Sequence, residues 1–294
     1  MSRIDIVIPC AGRTDDLLRL LHSLHAFCPD GLDGEVASIT VSDDRYTEAL
    51  RTQVSDRFPA VRYVAGPARG PAANRNFGAS LGKADWLLFL DDDCYVESDL
   101  LCTYAVAMRE HVETVVFEGA IQPVGDRPNG NHHAPANLDG GYLWSCNMLL
   151  RRAAFEAIGG FDQRFPYPCM EDVDLRERLC HTGVRITFVR GAVVRHPWRS
   201  ISERELSRSI VSHAIYATKH PGFAGQWTMK HASRMAFGRL RLYASGGFST
   251  IAWSKYRTVA YDLIAPYLLL VATRWPLLRR RLDRRFRNHF GEAA

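Results

Sequence analysis

No two cysteines in this chain stand in Cys-x-x-Cys spacing. The seven (Cys10, Cys28, Cys94, Cys102, Cys146, Cys169 and Cys180) are odd in number and scattered. That argues against a zinc cluster and against a disulfide scaffold, so the thiols are expected to be reduced and mostly packed. A bilayer-spanning run is missing too. The apolar stretch 263–272 gives ten residues with Pro266 inside it, short of the roughly 20 that a span needs. The N-terminal "MSRIDIVIPC" lacks the basic start, apolar centre and small-residue site of a secretion signal, which sets a cytoplasmic location as the expectation. Internal repeats and low-complexity tracts are also missing.

What is present is an ordinary soluble balance. The 294 residues are 47% hydrophobic and 23% charged, enough for one large α/β domain or a domain with an appendage. The net charge of +5 hides an asymmetry. Residues 199–294 hold 17 Lys+Arg against 5 Asp+Glu, a net of +12, while residues 1–198 carry −7. Two domains, 1–198 and 199–294, are expected to face different partners.

The runs "IDIVIP" (4–9), "VASITVS" (36–42), "VRYV" (61–64) and "WLLFL" (86–90) read as buried strands. Thr14 can cap a helix that carries Leu17, Leu20, Leu21 and Leu24 at helical spacing. Residues 47–58 read as a second helix, and the glycine-rich turn within 66–82 feeds a third. Alternating strands and helices argue for a mainly parallel sheet with helices on both faces. In such sheets ligands bind beyond the carboxyl ends of the strands. Asp43 and the run Asp91, Asp92, Asp93 all lie at such ends and are expected to converge on one crevice. Residues 122–141, rich in Pro, Gly and Asn, read as a long loop without a strand. Its His132 and His133 are expected to be exposed rather than metal ligands. Helices over 152–158 and 171–181, with strands near 185–189 and 192–195, complete the domain.

Three adjacent carboxylates repel one another and have no packing value after a buried strand. A magnesium or manganese ion, completed by nucleotide phosphate oxygens, accounts for them; a solvated turn with an Asp cap is the plainer alternative. Glu171 and Asp172 open a helix whose N-terminal dipole favours carboxylates. Capping alone explains two acids there, and a general base is the other reading. His196 ends a short apolar strand just before Pro197. An imidazole beside a carboxylate suits manganese.

The fragments "IDIVIPCAGR", "VSDD", "GPAANRNFGASLGKADWLLFLDDDC", "NMLLRRAAFEAIGGFDQRF", "EDVDLRERLCHTGVRI" and "AVVRHP" stand in a telling order. Over residues 3–197 the chain resembles the inverting family-2 glycosyltransferases with the GT-A fold. The resemblance implies a Rossmann-like α/β domain that takes a nucleotide-sugar donor, commonly a UDP-sugar, with Mn2+ or Mg2+. Pro9, Ala11 and Arg13 would border the nucleotide, Asp43 would meet the base, and Arg75 would lie near nucleotide and metal. Asp91 would contact ribose or donor sugar, and Asp93 would bind the metal with Asp91 and His196. Asp92 fills the variable middle position. Asp172 matches the catalytic base, with Glu171 beside it. The stretch "VSDDRYTE" departs from the family's usual Gly-Ser after the acids, which leaves that turn open.

Beyond the resemblance, 201–221 and 229–247 read as amphipathic helices. Residues 256–290 mix an apolar run, with Tyr267 and Trp275, with an arginine cluster at 279–287. A helix lying on an anionic inner leaflet and facing a lipid-linked saccharide acceptor fits this pattern. Packing on the catalytic domain and a homo-oligomer interface are the other uses. Rival functions fare worse. A sugar nucleotidyltransferase would want a glycine-rich basic loop where "PCAGRTDD" offers one Gly and one Arg. A nucleic-acid binder would show a recognition motif and would not carry −7 on its larger part. A non-catalytic nucleotide-sugar binder stays open, although all the expected acids are present.

Overall fold

A computed structural model describes residues 3–27, 36–245 and 255–274. They group into two compact units. The first comprises residues up to 124, 135–163 and 171–197; the second comprises 125–134, 164–170 and the chain from 198 onward. Two segments that precede residue 199 thus group with the C-terminal helices.

In the first unit β1 (Ile4–Cys10), α1 (Thr14–Phe27), β2 (Val36–Asp43), α2 (Glu48–Arg57), β3 (Val61–Ala65), α3 (Pro71–Ser80) and β4 (Trp86–Phe89) alternate as the sequence suggests. β1 pairs in parallel with both β2 and β4, and β2 with β3. All seven residues of β1 are buried. Side chains alternate across the sheet: Ile4, Ile6 and Ile8 join Leu17, Leu20 and Leu24 of α1 on one face, and Val7, Leu87 and Phe89 join Phe155, Phe161 and Leu179 on the other. Asp5, the one acid in β1, is kept in this core by donors. These are Arg152 Nη2 at 2.7 Å, the Ala84 N–H at 2.8 Å and the Ser38 hydroxyl. α3 lies so close to β1 that a Cβ on Gly78 would stand 2.7 Å from Val7 Cγ1.

Residues 95–121, for which the pattern names no element, hold β5 (Tyr95–Val96), α4 (Leu100–Glu110) and the start of β6 (Val116–Pro123). After β7 (His132–His133), which groups with the second unit, β8 (Met148–Arg151) runs antiparallel between β4 and β6. α5 (Arg152–Ala157) and α6 (Glu171–His181) follow. β9 (Ile186–His196) is parallel to β6, giving the order β3-β2-β1-β4-β8-β6-β9-β5. The sheet is mixed and mainly parallel, as expected.

Four local expectations change. The strands near 185–189 and 192–195 are one strand, β9, whose register against β6 shifts between Gly119 and Ala120, with Arg190 and Gly191 turned to solvent. Residues 122–141 are not free of strand: β6 extends to Pro123, and β7 pairs antiparallel with β10 (Arg199–Ser200). His132 and His133 are consequently half-buried rather than exposed. Thr14 is the first residue of α1 rather than its cap, since the Leu17 N–H donates to the Arg13 carbonyl at 3.0 Å.

Beyond β10 the described residues of the second unit form α7 (Glu203–Lys219), α8 (Pro221–Gln226), α9 (Met229–Ser245) and α10 (Tyr256–Arg274). A reciprocal Ser202–Glu205 capping box starts α7. Pro266 lies inside α10, and its carbonyl accepts the Trp227 indole N–H at 3.1 Å. Phe237 and Leu240 on α9, and Ile264, Leu268 and Val271 on α10, are exposed. Among the described residues no helix is long and apolar enough to cross a membrane. Cys28, Trp275 and the arginines of 279–287 lie outside the described residues.

Candidate functional site

The strand order places the carboxyl ends of β1, β2 and β4 side by side, and the loops leaving them carry the candidate residues. Pro9 is buried next to the last residue of β1, and Ala11 is exposed just beyond the strand. Asp43 closes β2 and is buried. Its Oδ1 accepts from the Gly12 N–H at 3.1 Å and the Arg45 N–H at 2.8 Å; its Oδ2 accepts the Tyr63 hydroxyl at 2.7 Å. Oδ1 thus shapes the loop after β1 while Oδ2 is held from β3, and any base contact would use their remaining lone pairs. Tyr63 stacks on Tyr46 at 5.4 Å. Asp44 receives the Ala68 and Gly70 N–H groups at 2.9 and 3.1 Å, clamping the turn before α3.

Gly12 and Arg13 are consecutive, so the loop that meets Asp43 also meets the aspartate run. Arg13 reaches Asp92 at 2.6 Å and Asp93 at 3.0 Å. Asp92 and Asp93 are 0% and 1% exposed. Burial pushes the Asp92 carboxyl up to about 6, with Arg13 pulling against it. Asp91 is half-buried and receives Arg75 Nη2 at 2.7 Å. Arg75 is 3% exposed, and its Nη1 donates to Glu171 Oε1 at 2.9 Å. One guanidinium thus ties two acidic motifs 80 residues apart in the chain.

His196 ends β9 opposite Pro123. Its Nδ1–H donates to the Pro197 carbonyl at 2.9 Å, and its Nε2 faces Asp93 Oδ1 at 3.2 Å. Two acceptors cannot face each other at that distance, so Nε2 must carry a proton or share a cation with the carboxylate. Without a cation, burial opposes protonation, but Asp93 and Asp91 outweigh it and raise the imidazole above its ordinary value. Ligand atoms of Asp91, Asp93 and His196 lie within 4.8 Å of one another. Two carboxylate oxygens and an imidazole nitrogen form a donor set suited to Mn2+ and compatible with Mg2+.

Glu171 and Asp172 open α6, as the sequence suggests. Glu171 is buried against Arg75. Asp172 is half-buried; it accepts its neighbour's Val173 N–H at 2.8 Å and the Ser145 N–H at 3.4 Å. Loss of hydration, then the Glu171 charge, push its carboxyl up to about 7 against the pull of Arg75. Asp174 turns away and pairs with Arg178 at 2.8 Å within α6.

Sequence reasoning missed several supports. Arg19 lies over the Tyr95 ring at 4.1 Å and donates to the Asp93 carbonyl at 3.3 Å. Asn74 donates to the Cys10 carbonyl at 3.1 Å and meets the Ser42 hydroxyl. Glu118 is buried and gathers the N–H groups of Gly141, Tyr142 and Leu143. A lone acid inside an apolar strand, as at Glu118, was the available signal.

The fold is a mainly parallel α/β sheet with acids gathered at the carboxyl ends of its strands. Residues 5–159 match the family model "Glycosyl transferase family 2", and residues 131–197 match "N-terminal domain of galactosyltransferase". The first match takes in more than half of the chain, which belongs to glycosyl transferase family 2. Among curated relatives, the pre-mycofactocin glycosyltransferase of Mycobacterium tuberculosis is 28% identical over 266 residues, covering 85% of this chain and 52% of that protein. The validoxylamine A glucosyltransferase of Streptomyces hygroscopicus subsp. limoneus is 28% identical over 282 residues, covering 80% and 60%. The chain therefore spans only part of the length of these relatives. Solved structures agree on the fold. The mannosyltransferase PcManGT from Pyrobaculum calidifontis, in complex with GDP-Man and Mn2+, superposes with a TM-score of 0.56 at 14% identity over 94% of this chain and 88% of that one. S. aureus TarS in complex with UDP superposes with a TM-score of 0.57 at 15% identity over 98% and 92%. The fold is that of GT-A glycosyltransferases.

Proposed function

We propose that the chain is a metal-dependent inverting glycosyltransferase that moves a sugar from a nucleoside-diphosphate donor, of the UDP-sugar kind, to an acceptor hydroxyl on a saccharide or lipid-linked saccharide. The observation that carries this reading is Arg75. A single buried guanidinium joins Asp91 to Glu171, so the place for a diphosphate and the place for a base are built as one. The nucleotide complexes of the two solved neighbours support the donor class.

In this reading Asp91, Asp93 and His196 hold Mn2+ or Mg2+, which when bound offsets charge developing on the leaving diphosphate. Pro9, Ala11, Arg13 and Asp43 line the nucleotide side, and Arg75 positions Asp91 and Glu171 together. Asp92 keeps Arg13 in place. Asp172 accepts the acceptor's hydroxyl proton as that oxygen bonds to the anomeric carbon and the bond to the diphosphate breaks on the opposite face. A carboxyl pushed up to about 7 is a stronger base than an ordinary aspartate.

The test is a thermal-shift screen of UDP-, GDP- and dTDP-sugars with and without Mn2+. Stabilisation by one nucleotide only with metal, lost in Asp93→Ala, is expected; silence from every nucleotide overturns the reading. Sugar transfer must accompany binding. Binding without transfer to any acceptor, or to water, points to a non-catalytic binder. Pyrophosphate release from a nucleoside triphosphate and a sugar phosphate points to a nucleotidyltransferase.

The partner assigned to the second unit in this reading is an anionic membrane surface. The exposed apolar side chains of α9 and α10 stand in a region with 17 Lys+Arg against 5 Asp+Glu, and such a face suits the headgroup layer. Flotation with anionic liposomes at low salt checks it; a protein that stays at the bottom of the gradient removes the membrane and leaves homo-oligomerisation as the use of that face.

A further inference from the structure

The segment "DGGYLWSC" (139–146) is neither strand nor helix, yet it is held more firmly than a loop needs to be. The carboxylate of Glu118 is buried in β6 and accepts the N–H groups of Gly141, Tyr142 (3.1 Å) and Leu143 (2.6 Å); the Asn137 side chain donates to it as well, at 3.3 Å. A buried charge costs several kcal/mol unless donors surround it, so this carboxylate fixes the path of the backbone. The path is an unusual one. Gly140 and Gly141 have φ of 85° and 102°, and Leu143 holds a φ of 52° that branched and bulky residues avoid. A Cβ at Gly140 would meet Glu118 Oε1 at 2.8 Å.

This anchoring has a visible product. Leu143 is driven into the core, and Tyr142 on its outer side is left 50% exposed. The Tyr142 ring lies against Trp144, with centroids 4.7 Å apart and planes 34° from parallel. Trp144 itself packs against the core, so it is a fixed backing for the tyrosine. One residue further, the Ser145 N–H faces the Asp172 carboxylate at 3.4 Å. Three peptide links separate Tyr142 from Ser145, so their Cα atoms lie within about 11 Å. Half of the Tyr142 side chain thus stays in water, three residues from the N–H that meets the carboxylate which is to take a hydroxyl proton.

We infer that Tyr142, backed by Trp144, is a stacking platform for the pyranose ring of the acceptor. This rests on the transferase reading with Asp172 as base. The negative face of an aromatic ring attracts the polarised C–H groups of a sugar's flat side. The ring's hydroxyls stay outward, where one can reach Asp172. The acceptor class is then a cyclic saccharide unit rather than an open-chain polyol, a lipid hydroxyl or a peptide serine.

The experiment uses the full chain loaded with diamagnetic Mg2+ and the nucleoside diphosphate selected by thermal shift. Methyl pyranosides of glucose, galactose, mannose and N-acetylglucosamine are titrated, with glycerol as the open-chain control. Binding is read by saturation transfer from the protein's aromatic protons to sugar C–H protons. At least one pyranoside is expected to bind with its C–H protons saturated, and glycerol is not. Tyr142→Ala should weaken that pyranoside about tenfold, the order of a lost aromatic contact. Tyr142→Phe, which keeps the ring face, should bind as the wild type does. The nucleotide's thermal shift should be the same in all three proteins, which also reports that each is folded. Equal pyranoside binding by Tyr142→Ala overturns the platform, and so does the absence of any pyranoside signal while the nucleotide binds. Failure of the nucleotide to bind the wild type would instead overturn the transferase reading itself.

Discussion

Beyond β4 the first unit buries Asp92 and Asp93 and closes them with Arg13, while Arg75 ties Asp91 to Glu171. The second unit does the reverse on α9 and α10, where Phe237 and Ile264 are 60% and 52% exposed. Each arrangement is unfavourable for an isolated chain. Dehydrating several carboxylates costs more than apolar side chains in their place would, and apolar rings in water forgo the burial that stabilises a core. In the proposed reading the first cost is offset when a cation and a diphosphate occupy the crevice, the second when an anionic surface covers the helices. In that reading the two units answer to different partners. The charge asymmetry of +12 against −7 supports the same reading.

The sharpest way to test the first half of that contrast is Asp172→Asn. The change is nearly isosteric, so nucleotide binding should persist, while sugar transfer should fall by about 10²–10⁴-fold. Steady-state transfer and nucleotide titration on the same preparation check it, and near-normal turnover would remove Asp172 from the role of base.

Next in size is the stability carried by buried against exposed ion pairs. Arg75→Met leaves Asp91 and Glu171 without their shared cation, and unfolding in denaturant should show a loss of about 3–5 kcal/mol. Arg257→Met in the second unit breaks an exposed pair with Glu203 at 3.4 Å and should cost less than about 1 kcal/mol. Equal losses would mean that the crevice network is no more coupled than a surface bridge.

A smaller effect is the acid limb of the rate profile. Burial and Glu171 hold the Asp172 proton up to about 7, and only the deprotonated form can act as base. Transfer should rise with pH through neutrality and level off above it, falling about tenfold per unit on the acid side. A rate already flat from pH 5 upward would place the base elsewhere.

Much of the fold is legible in the sequence. A parallel strand buried on both faces is nearly all apolar, so "IDIVIP" and "WLLFL" declare themselves, and acids at their carboxyl ends stand out by contrast. The links between motifs were not legible. Arg75 and Glu171 are 96 positions apart, and nothing local in "ANRNFG" says that its guanidinium spans two acidic clusters. Asp5 and Glu118 give no local sign of their partners; they are carboxylates whose donors come from distant parts of the chain. The pairing of β7 with β10 was invisible because two residues are too few to display a period of two. For the same reason His132 and His133 read as exposed loop residues.

That pairing leads to the mildest prediction and to the other half of the comparison. His133 is half-buried against Arg239, which approaches its ring at 2.8 Å. Burial, then the Arg239 charge, depress the imidazole to about 3, while an unfolded histidine titrates near ~6.5. The folded chain therefore binds fewer protons than the unfolded chain between those values. The contribution of His133 is fully present above about pH 6.5 and is lost as the pH falls towards 3. His133→Gln has no proton to exclude, so its stability should decline less than that of the wild type between pH 7 and pH 5. Melting temperatures of the two proteins across that range decide the matter: parallel curves would mean that His133 is solvated as the loop composition first suggested, and a narrowing gap at low pH would place a buried, proton-excluding group in the helical unit as well.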